Sequence, residues 1–597
     1  MYKHNYLKIA VASNKVLLGQ PYENAKEIIK IADDYQDASI IVFPELSLIG
    51  STLGDWNRNR ELLKKQTKAL EYIIENSTDQ VLIVGGSFEY LSSLYNVAYV
   101  IQNGELLGIV PKVNLTDAEM NVFTSGEQFL DTIVELELFE EVVPFGNIKF
   151  INSPFDVNFG VEVGNDLGFI SDAEIIFNLA SNSYYLGSKN ENIEKIKALS
   201  LKDKCIYALS SISTSQTASG CVFTSQLLSA INGELLLNDS NLSFESKASY
   251  VDIDLEYLKF ARMNENYQTQ LDDYFVEFEL LESEDYTLTN KIEKNPFVIK
   301  SDTEASEIID VLSAALYHRL SHIGISKVAL GVSGGLDSAF ALLVAHNCFE
   351  KYNIPTSNIL AFSMPALATG SKSQQLALDL MNGLKVKGSV LPIGEEVKSH
   401  FELINHDFNV VNTTYENVQA RYRTFVLMNI SNSEGAIVLG TGDMSEIALG
   451  WSTFNGDQMS MYNINAGLPK TAIKSLVEYF ARKHSHLAFV LTDIINATIS
   501  PELTSTNQAT EDIIGKYEVN DFIMYHVLGR GASKERIVYL LTQEFELDDE
   551  SSNAYYDNFM RRFKQNQFKR LAAPEGVKIF KLSLSPHGDL KFPGDLK

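Results

Sequence analysis

Residues 326–338 read Ser-Lys-Val-Ala-Leu-Gly-Val-Ser-Gly-Gly-Leu-Asp-Ser and lead directly into Ala339-Phe340-Ala341-Leu342-Leu343. A short β-rich apolar run therefore passes through a glycine-rich turn straight into an apolar helical run. Strand, glycine loop and helix in that order open a parallel, doubly wound α/β sheet. Repeated strand and helix patterns continue to about Val490, as such a sheet requires.

The loop Ser333-Gly334-Gly335-Leu336-Asp337-Ser338 also carries chemistry. Its glycines let backbone amides approach an anion, the helix amino terminus adds a favourable dipole, and two serines add hydroxyl donors. These features describe a pyrophosphate cradle. No Gly-Lys-Ser/Thr follows at the spacing of a Walker A loop. Asp337 offers a hard oxygen ligand, so Mg2+ bridging ATP phosphates is expected.

A chain of 597 residues, 45% of them hydrophobic, is too long for one core and predicts at least two domains. The formal net charge of −28 argues against wrapping nucleic acid or coating an anionic membrane, because both need a basic excess. The opening Met1-Tyr2-Lys3-His4-Asn5-Tyr6-Leu7 lacks the apolar core of a signal peptide, and no later run is long enough to cross a bilayer. A cytoplasmic location is expected. The three cysteines, Cys205, Cys221 and Cys348, have no CxxC spacing and read as small apolar residues rather than disulfide or zinc positions.

The first part has β-rich runs at 6–12, 38–43, 81–86, 97–101 and 173–179, separated by helical stretches, which predicts a layered α/β domain. From about Asp254 to Pro296 the chain turns acidic and aromatic without clean periodicity, as expected of a connector packed on the surface. The expected division is 1–260 for the first domain, 261–290 for the connector and 291–597 for the second domain.

The loop resembles that of the ATP pyrophosphatase superfamily, whose members split ATP to AMP and pyrophosphate while adenylating a substrate. Several amide-forming enzymes share it, and later blocks narrow the choice. Residues 416–423 (Glu-Asn-Val-Gln-Ala-Arg-Tyr-Arg), 439–446 (Leu-Gly-Thr-Gly-Asp-Met-Ser-Glu) and 448–454 (Ala-Leu-Gly-Trp-Ser-Thr-Phe) resemble successive motifs of NAD synthetases. So do Gly456-Asp457, Pro469-Lys470-Thr471, Ile499-Ser500-Pro501-Glu502-Leu503 and Gln567-Phe568-Lys569-Arg570. His587 departs from a terminal Ser-Pro-Arg-Gly pattern.

Read physically, Arg421 and Arg423 lie two apart, a spacing that on a strand or in a loop presents both guanidinium groups to one pyrophosphate. Thr441 follows a strand and a glycine, where it can hold the ATP ribose or phosphate. Glu446 lies about one turn into the next helix and can complete a Mg2+ site with Asp337. The resemblance implies ATP contacts at Gly331, Val332, Ser333, Gly334, Gly335, Leu336, Asp337, Ser338 and Thr441, with Lys470 facing the phosphates. It implies deamido-NAD contacts at Asn417, Arg421, Arg423, Glu446, Trp451, Ser452, Thr453, Phe454, Asp457 and Lys569. The rings of Trp451 and Phe454 suit stacking on a nicotinate or adenine.

In the first part, Phe43-Pro44-Glu45-Leu46, Pro111-Lys112-Val113-Asn114-Leu115 and 160–167 (Gly-Val-Glu-Val-Gly-Asn-Asp-Leu) fall in the order of the glutamate, lysine and cysteine blocks of the nitrilase family. The resemblance implies an α-β-β-α sandwich with Glu45 as general base, Lys112 stabilising the oxyanion and Glu119 as an auxiliary acid. The cysteine position is Gly164, which has no side chain to attack an amide. Asn165 and Ser181-Asn182-Ser183-Tyr184-Tyr185 depart from the family pattern as well.

Glutamine-dependent NAD synthetases fuse these two kinds of domain. The resemblance thus implies amidation of deamido-NAD with ATP and a homo-oligomer, while the missing nucleophile at Gly164 points to free ammonia as nitrogen source, with the front domain kept as an assembly scaffold or as a wall of the ammonia tunnel. A glutamine-driven enzyme with another nucleophile, a non-catalytic homologue and a ligase for a different carboxylate are the competing readings.

Overall fold

The strand Tyr6–Ser13 is buried along its whole length because both of its faces are covered. With side chains alternating, Leu7, Ile9 and Val11 point into one core and Ala10 and Ala12 into another. The first core lies between two sheets and meets Phe159, Val161, Val163 and Ile175. In the second core, small alanines and Ile41 and Phe43 face Ile28 and Ile31 of the helix Pro21–Asp34 and Ile73 of the helix Arg60–Glu75. On the far side, the helix Ser188–Lys202 sets Ile196 against Cys205 and Tyr207. The result is an α-β-β-α sandwich, with a nine-stranded and a seven-stranded sheet among the described residues. The computed structural model of the chain describes residues 1–169, 172–268, 274–367, 370–497, 510–585, 588 and 590–596.

This sandwich occupies Met1–Lys291, one of two compact units; the other is Ile292–Lys597. The stretch 261–290, expected as a surface connector, differs from that expectation. Phe275–Glu277 extends the second sheet by pairing parallel to Lys149–Asn152. Phe278 is buried with its ring 5.0 Å from that of Phe159, and the Tyr286 hydroxyl donates to Asp252 Oδ1 at 2.6 Å. Phe278 and Tyr286, two of the aromatic residues that gave the stretch no periodicity, are buried against the sandwich.

In the second unit, five parallel strands among the described residues lie in the spatial order Lys387–Val390, Ile359–Ser363, Val328–Gly331, Ile437–Gly440, Tyr462–Asn463. The chain thus runs outward in one direction from Val328–Gly331, then restarts beside it at Ile437–Gly440. Strand order reverses between those two, and the crevice at their carboxyl ends is where such sheets bind ligands. The helix Leu336–Lys351 that follows the first strand buries residues all round, from Ser338 to Ala345, and is the central helix of the unit. Among the described residues, no helix is long and apolar enough to cross a membrane.

Candidate active site

Gly331 ends the first strand and Val332 extends it by one bond, its N–H donating to Phe362 O at 2.8 Å. The chain then turns at Gly334, whose φ of +89° and whose approach to the Ser373 backbone exclude a side chain: a Cβ there would lie 2.1 Å from the carbonyl oxygen. Ser333 and Ser338 brace the loop, with hydroxyls 3.0 Å apart, Ser333 Oγ accepting from Gly335 N at 3.1 Å and Ser338 Oγ donating to Gly335 O at 3.1 Å. Leu336 and Asp337 form the first turn of the following helix.

Across the strand reversal, Thr441 follows Ile437–Gly440. Asn465, fully buried, donates to the backbone oxygens of both Asp337, at 3.0 Å, and Thr441, at 2.8 Å, clamping the two loops together. Asp443 then caps the helix Met444–Leu449 by accepting from Glu446 N at 2.8 Å. Its other oxygen faces Lys470, the first residue of the helix Lys470–Lys483.

Four charges meet there. Lys470 Nζ stands 2.5 Å from Asp337 Oδ2, 2.5 Å from Asp443 Oδ2 and 2.9 Å from Glu446 Oε1. Burial alone would lower the Lys470 ammonium, yet Asp337, Asp443 and Glu446 together push it well above its ordinary value. Burial raises the Asp443 carboxyl well above the usual range and pushes Glu446 up to about 7, against the pull of Lys470. Three carboxyl groups converge on one ammonium, and when ionised they carry more negative charge than Lys470 offsets. Asp337, Asp443 and Glu446 can also bring one oxygen each within 4.8 Å of one another, and Asp337 Oδ1 is buried without a hydrogen-bond partner. Hard oxygen donors, one of them unsatisfied, fit a divalent cation such as Mg2+.

Beside this cluster the described motifs around Asn417, the 450–457 loop and Lys569 converge. Thr453 Oγ1 donates to Asn417 Oδ1 at 2.8 Å and Thr453 N to Asp457 Oδ1 at 2.7 Å. Lys569 Nζ donates to the Gly450 and Ser452 carbonyls, each at 2.7 Å, so the carboxy-terminal motif holds the 450–457 loop in shape. Burial lowers the Lys569 ammonium, with Asp457 opposing. Phe454 packs on Phe568 with ring centroids 5.4 Å apart, and the Arg562 guanidinium lies 5.0 Å from the Trp451 ring centroid.

The arginine pair requires correction. Arg421 and Arg423 lie on the helix Thr413–Glu434, not on a strand or loop, and two residues of helix turn about 200°. They diverge accordingly: Arg421 Nε donates to Phe454 O and Arg423 Nε to Met364 O, each at 3.1 Å. Asn417, one turn before Arg421, shares its face.

In the first unit, Glu45, Lys112 and Gly164 follow the carboxyl ends of three strands and meet, with Glu45 and Lys112 buried and Gly164 partly so. Lys112 Nζ lies 2.7 Å from Glu45 Oε1 and 2.6 Å from Glu119 Oε1. Asn96 Nδ2 donates to Glu45 Oε1 at 2.7 Å and Ser181 Oγ to Glu45 Oε2 at 2.6 Å. Burial would lower the Lys112 ammonium, but Glu45 and Glu119 raise it; burial would raise Glu119, but Lys112 holds it below its ordinary value. Gly164 has φ +60°, and a Cβ there would lie 2.3 Å from Lys112 Nζ and 2.9 Å from Glu45 Oε1. The lysine ammonium fills the volume a side chain at 164 would take.

Cys205 does not stand in for a thiol at that position. Val163 pairs with Leu179 and Leu179 with Ser210, so Cys205 sits five residues back along its strand, about 16 Å away at roughly 3.3 Å per residue. Cys205 is buried with its thiol pushed up by burial, and Cys221 packs on Val16, Ile212 and Phe223.

Residues 308–573 match the NAD synthase family model. The glutamine-dependent NAD(+) synthetase of Mycobacterium tuberculosis (strain ATCC 25618 / H37Rv) is 30% identical over 666 aligned residues, covering 100% of this chain and 97% of that protein. The chain belongs to this synthetase family. The glutamine-dependent NAD(+) synthetase of Aquifex aeolicus is 27% identical and covers 96% of each chain. The NH(3)-dependent NAD(+) synthetase of Pelodictyon phaeoclathratiforme is 28% identical over 44% of this chain and 86% of its own.

Within the NAD synthetase family match lie the phosphate loop, Thr441, Glu446, Lys470 and Lys569, while Glu45, Lys112 and Gly164 precede it. The motif at 499–503 and His587 lie outside the described residues. Asp443 was missed in the sequence, although it stands three residues before Glu446 in a quoted motif: an aspartate before a helix reads first as a cap. Asn465 gave no signal beyond its neighbourhood.

Proposed function

We propose that this chain makes NAD by ATP-dependent amidation of deamido-NAD, with Mg2+ as cofactor and free ammonia as nitrogen donor. The observation that carries the reading is the meeting of the phosphate loop with the Lys470 and carboxylate cluster at the strand reversal. A carboxylate resists amidation because oxide is a poor leaving group. In this reading the nicotinate carboxylate attacks the ATP α-phosphate, pyrophosphate departs, ammonia adds to the adenylated carbonyl, AMP leaves and solvent takes a proton.

Each step then falls to groups already described. The amides of the 333–336 loop, with the Ser333 and Ser338 hydroxyls, receive the departing pyrophosphate at a helix amino terminus. Lys470 supplies positive charge beside it, in a site where fixed charges are worth far more than in water. Asn417, Arg421 and the 451–457 loop, braced by Lys569, hold the dinucleotide. Asp337, Asp443 and Glu446 would hold Mg2+, which when bound neutralises phosphate charge. Positioning and charge carry the reaction, and no protein nucleophile is required.

Ammonia is favoured over glutamine by Gly164. The Glu45, Lys112 and Glu119 network is assembled as an amidase needs, which favours the glutamine reading, but it surrounds a residue that cannot attack. The test is an assay with deamido-NAD, ATP, Mg2+ and ammonium, scored for NAD, AMP and pyrophosphate in equal amounts. ATP turnover that ignores deamido-NAD would overturn the reading.

A further inference from the structure

The helix Lys470–Lys483 starts without a cap of its own. Its N-cap position is Pro469, which offers no side-chain acceptor, and its first residue is a cation at the positive end of the helix dipole. The exposed amides of the first turn are met from two other elements. Lys470 N donates to Ser445 Oγ at 2.9 Å, Thr471 N to Asp521 Oδ2 at 3.3 Å, and Thr471 Oγ1 to the same oxygen at 2.8 Å. Ser445 Oγ in turn donates to Asp521 Oδ1.

Asp521 is thus the hub of a closed ring. It is 1% exposed and lies on the helix Tyr517–Met524, whose first residue sets its ring centroid 5.1 Å from Lys470 Nζ. One oxygen reaches the helix that bears Glu446 and the other the helix that bears Lys470. We infer that Asp521 is a positioning residue for the ATP chemistry: it ties these two helix starts together and so fixes Lys470 Nζ between Asp337, Asp443 and Glu446.

The physical need is clear from the lysine itself. Four rotatable bonds separate Cα from Nζ, so the ammonium holds a place among three carboxylates only if its backbone is fixed. A carboxylate is the fitting cap, because its charge offsets the helix dipole that Lys470 opposes. Asp521 acts through Ser445 and Thr471 rather than on the ammonium.

The inference rests on the proposed role of Lys470, and one experiment separates the two. In the full chain, kcat and KM for ATP and for deamido-NAD are measured in ammonia-driven synthesis for the parent, Asp521→Asn, Lys470→Ala and the double variant. Asp521→Asn should lower kcat/KM for ATP by roughly 10- to 100-fold with little change in KM for deamido-NAD, but by less than about 2-fold when Lys470 is already alanine. Equal fold losses in both backgrounds overturn the positioning role. Lys470→Ala with near-parent turnover overturns the proposed ATP site itself. Should Asp521→Asn not fold, Thr471→Val, which keeps the backbone bond and loses the hydroxyl, enters the same cycle and should show the same non-additivity.

Discussion

In the proposed site Asp443 combines a structural and a chemical task in one carboxyl group, and a single substitution separates them. Asparagine caps a helix about as well as aspartate, so Asp443→Asn keeps the bond from Glu446 N while losing the charge that faces Lys470. Turnover should fall by at least about 100-fold with little change in melting temperature; near-parent turnover at saturating Mg2+ would remove Asp443 from the site. Asp337→Ala should be as inactive and equally folded. A pH test concerns Asp521, whose carboxyl burial pushes up to about 6. Because that value exceeds the unfolded one of about 3.9, the group favours the folded chain most at low pH and loses that contribution as pH rises through about 6. Asp521→Asn lacks this loss, so its stability relative to the parent should be better at pH 7.5 than at pH 5, by roughly 1–1.5 kcal/mol. A difference that does not change with pH contradicts the assignment. At this scale the sequence pointed to Asp337, Glu446 and Lys470, which lie in separate motifs and which the fold brings into contact. Asp521 stayed hidden because its partners, Ser445 and Thr471, lie far away in the chain, and only the fold joins them.

The local elements that carry the site differ in how much change they tolerate. A side chain at Gly334 meets backbone that cannot step aside, so Gly334→Ala should open the phosphate loop, cost about 1–3 kcal/mol and abolish ATP-dependent turnover. A side chain at Gly164 meets the end of a lysine, which can swing away. At φ +60° the new side chain is strained as well, so Gly164→Ala should cost the first unit about 1–2 kcal/mol yet leave ammonia-driven turnover unchanged; thermal melting and kinetics on the two variants check both statements. The strand, glycine loop and helix around Ser333 were legible because a period change from strand to helix flanks an unmistakable turn. The setting of Arg421 and Arg423 was not. Helix Thr413–Glu434 is exposed and buried in no simple stripe, so the spacing of two was read with the wrong period.

Two units of similar size, each with its own core, make up the whole molecule, and the family match lies in the second. Residues 292–597 alone should fold and keep ammonia-driven synthesis within roughly 10-fold of the full chain, whereas loss of the front unit should shrink the oligomer or its solubility. Light scattering and turnover on the truncated chain test this, and a monomeric full-length chain contradicts the scaffold role. The two-part architecture was legible from strand and helix patterning. The role of 261–290 was not, since an edge strand built from aromatic and acidic residues has no alternation to read. The nitrogen donor is where the two units bear on one question. Purified protein, free of contaminating glutaminase, is given deamido-NAD, ATP and Mg2+ with either ammonium or glutamine as sole donor, and NAD is measured over time. NAD from ammonium, and almost none from glutamine, is the expected result; NAD formed as fast from glutamine as from ammonium, and lost on Glu45→Ala, would contradict it.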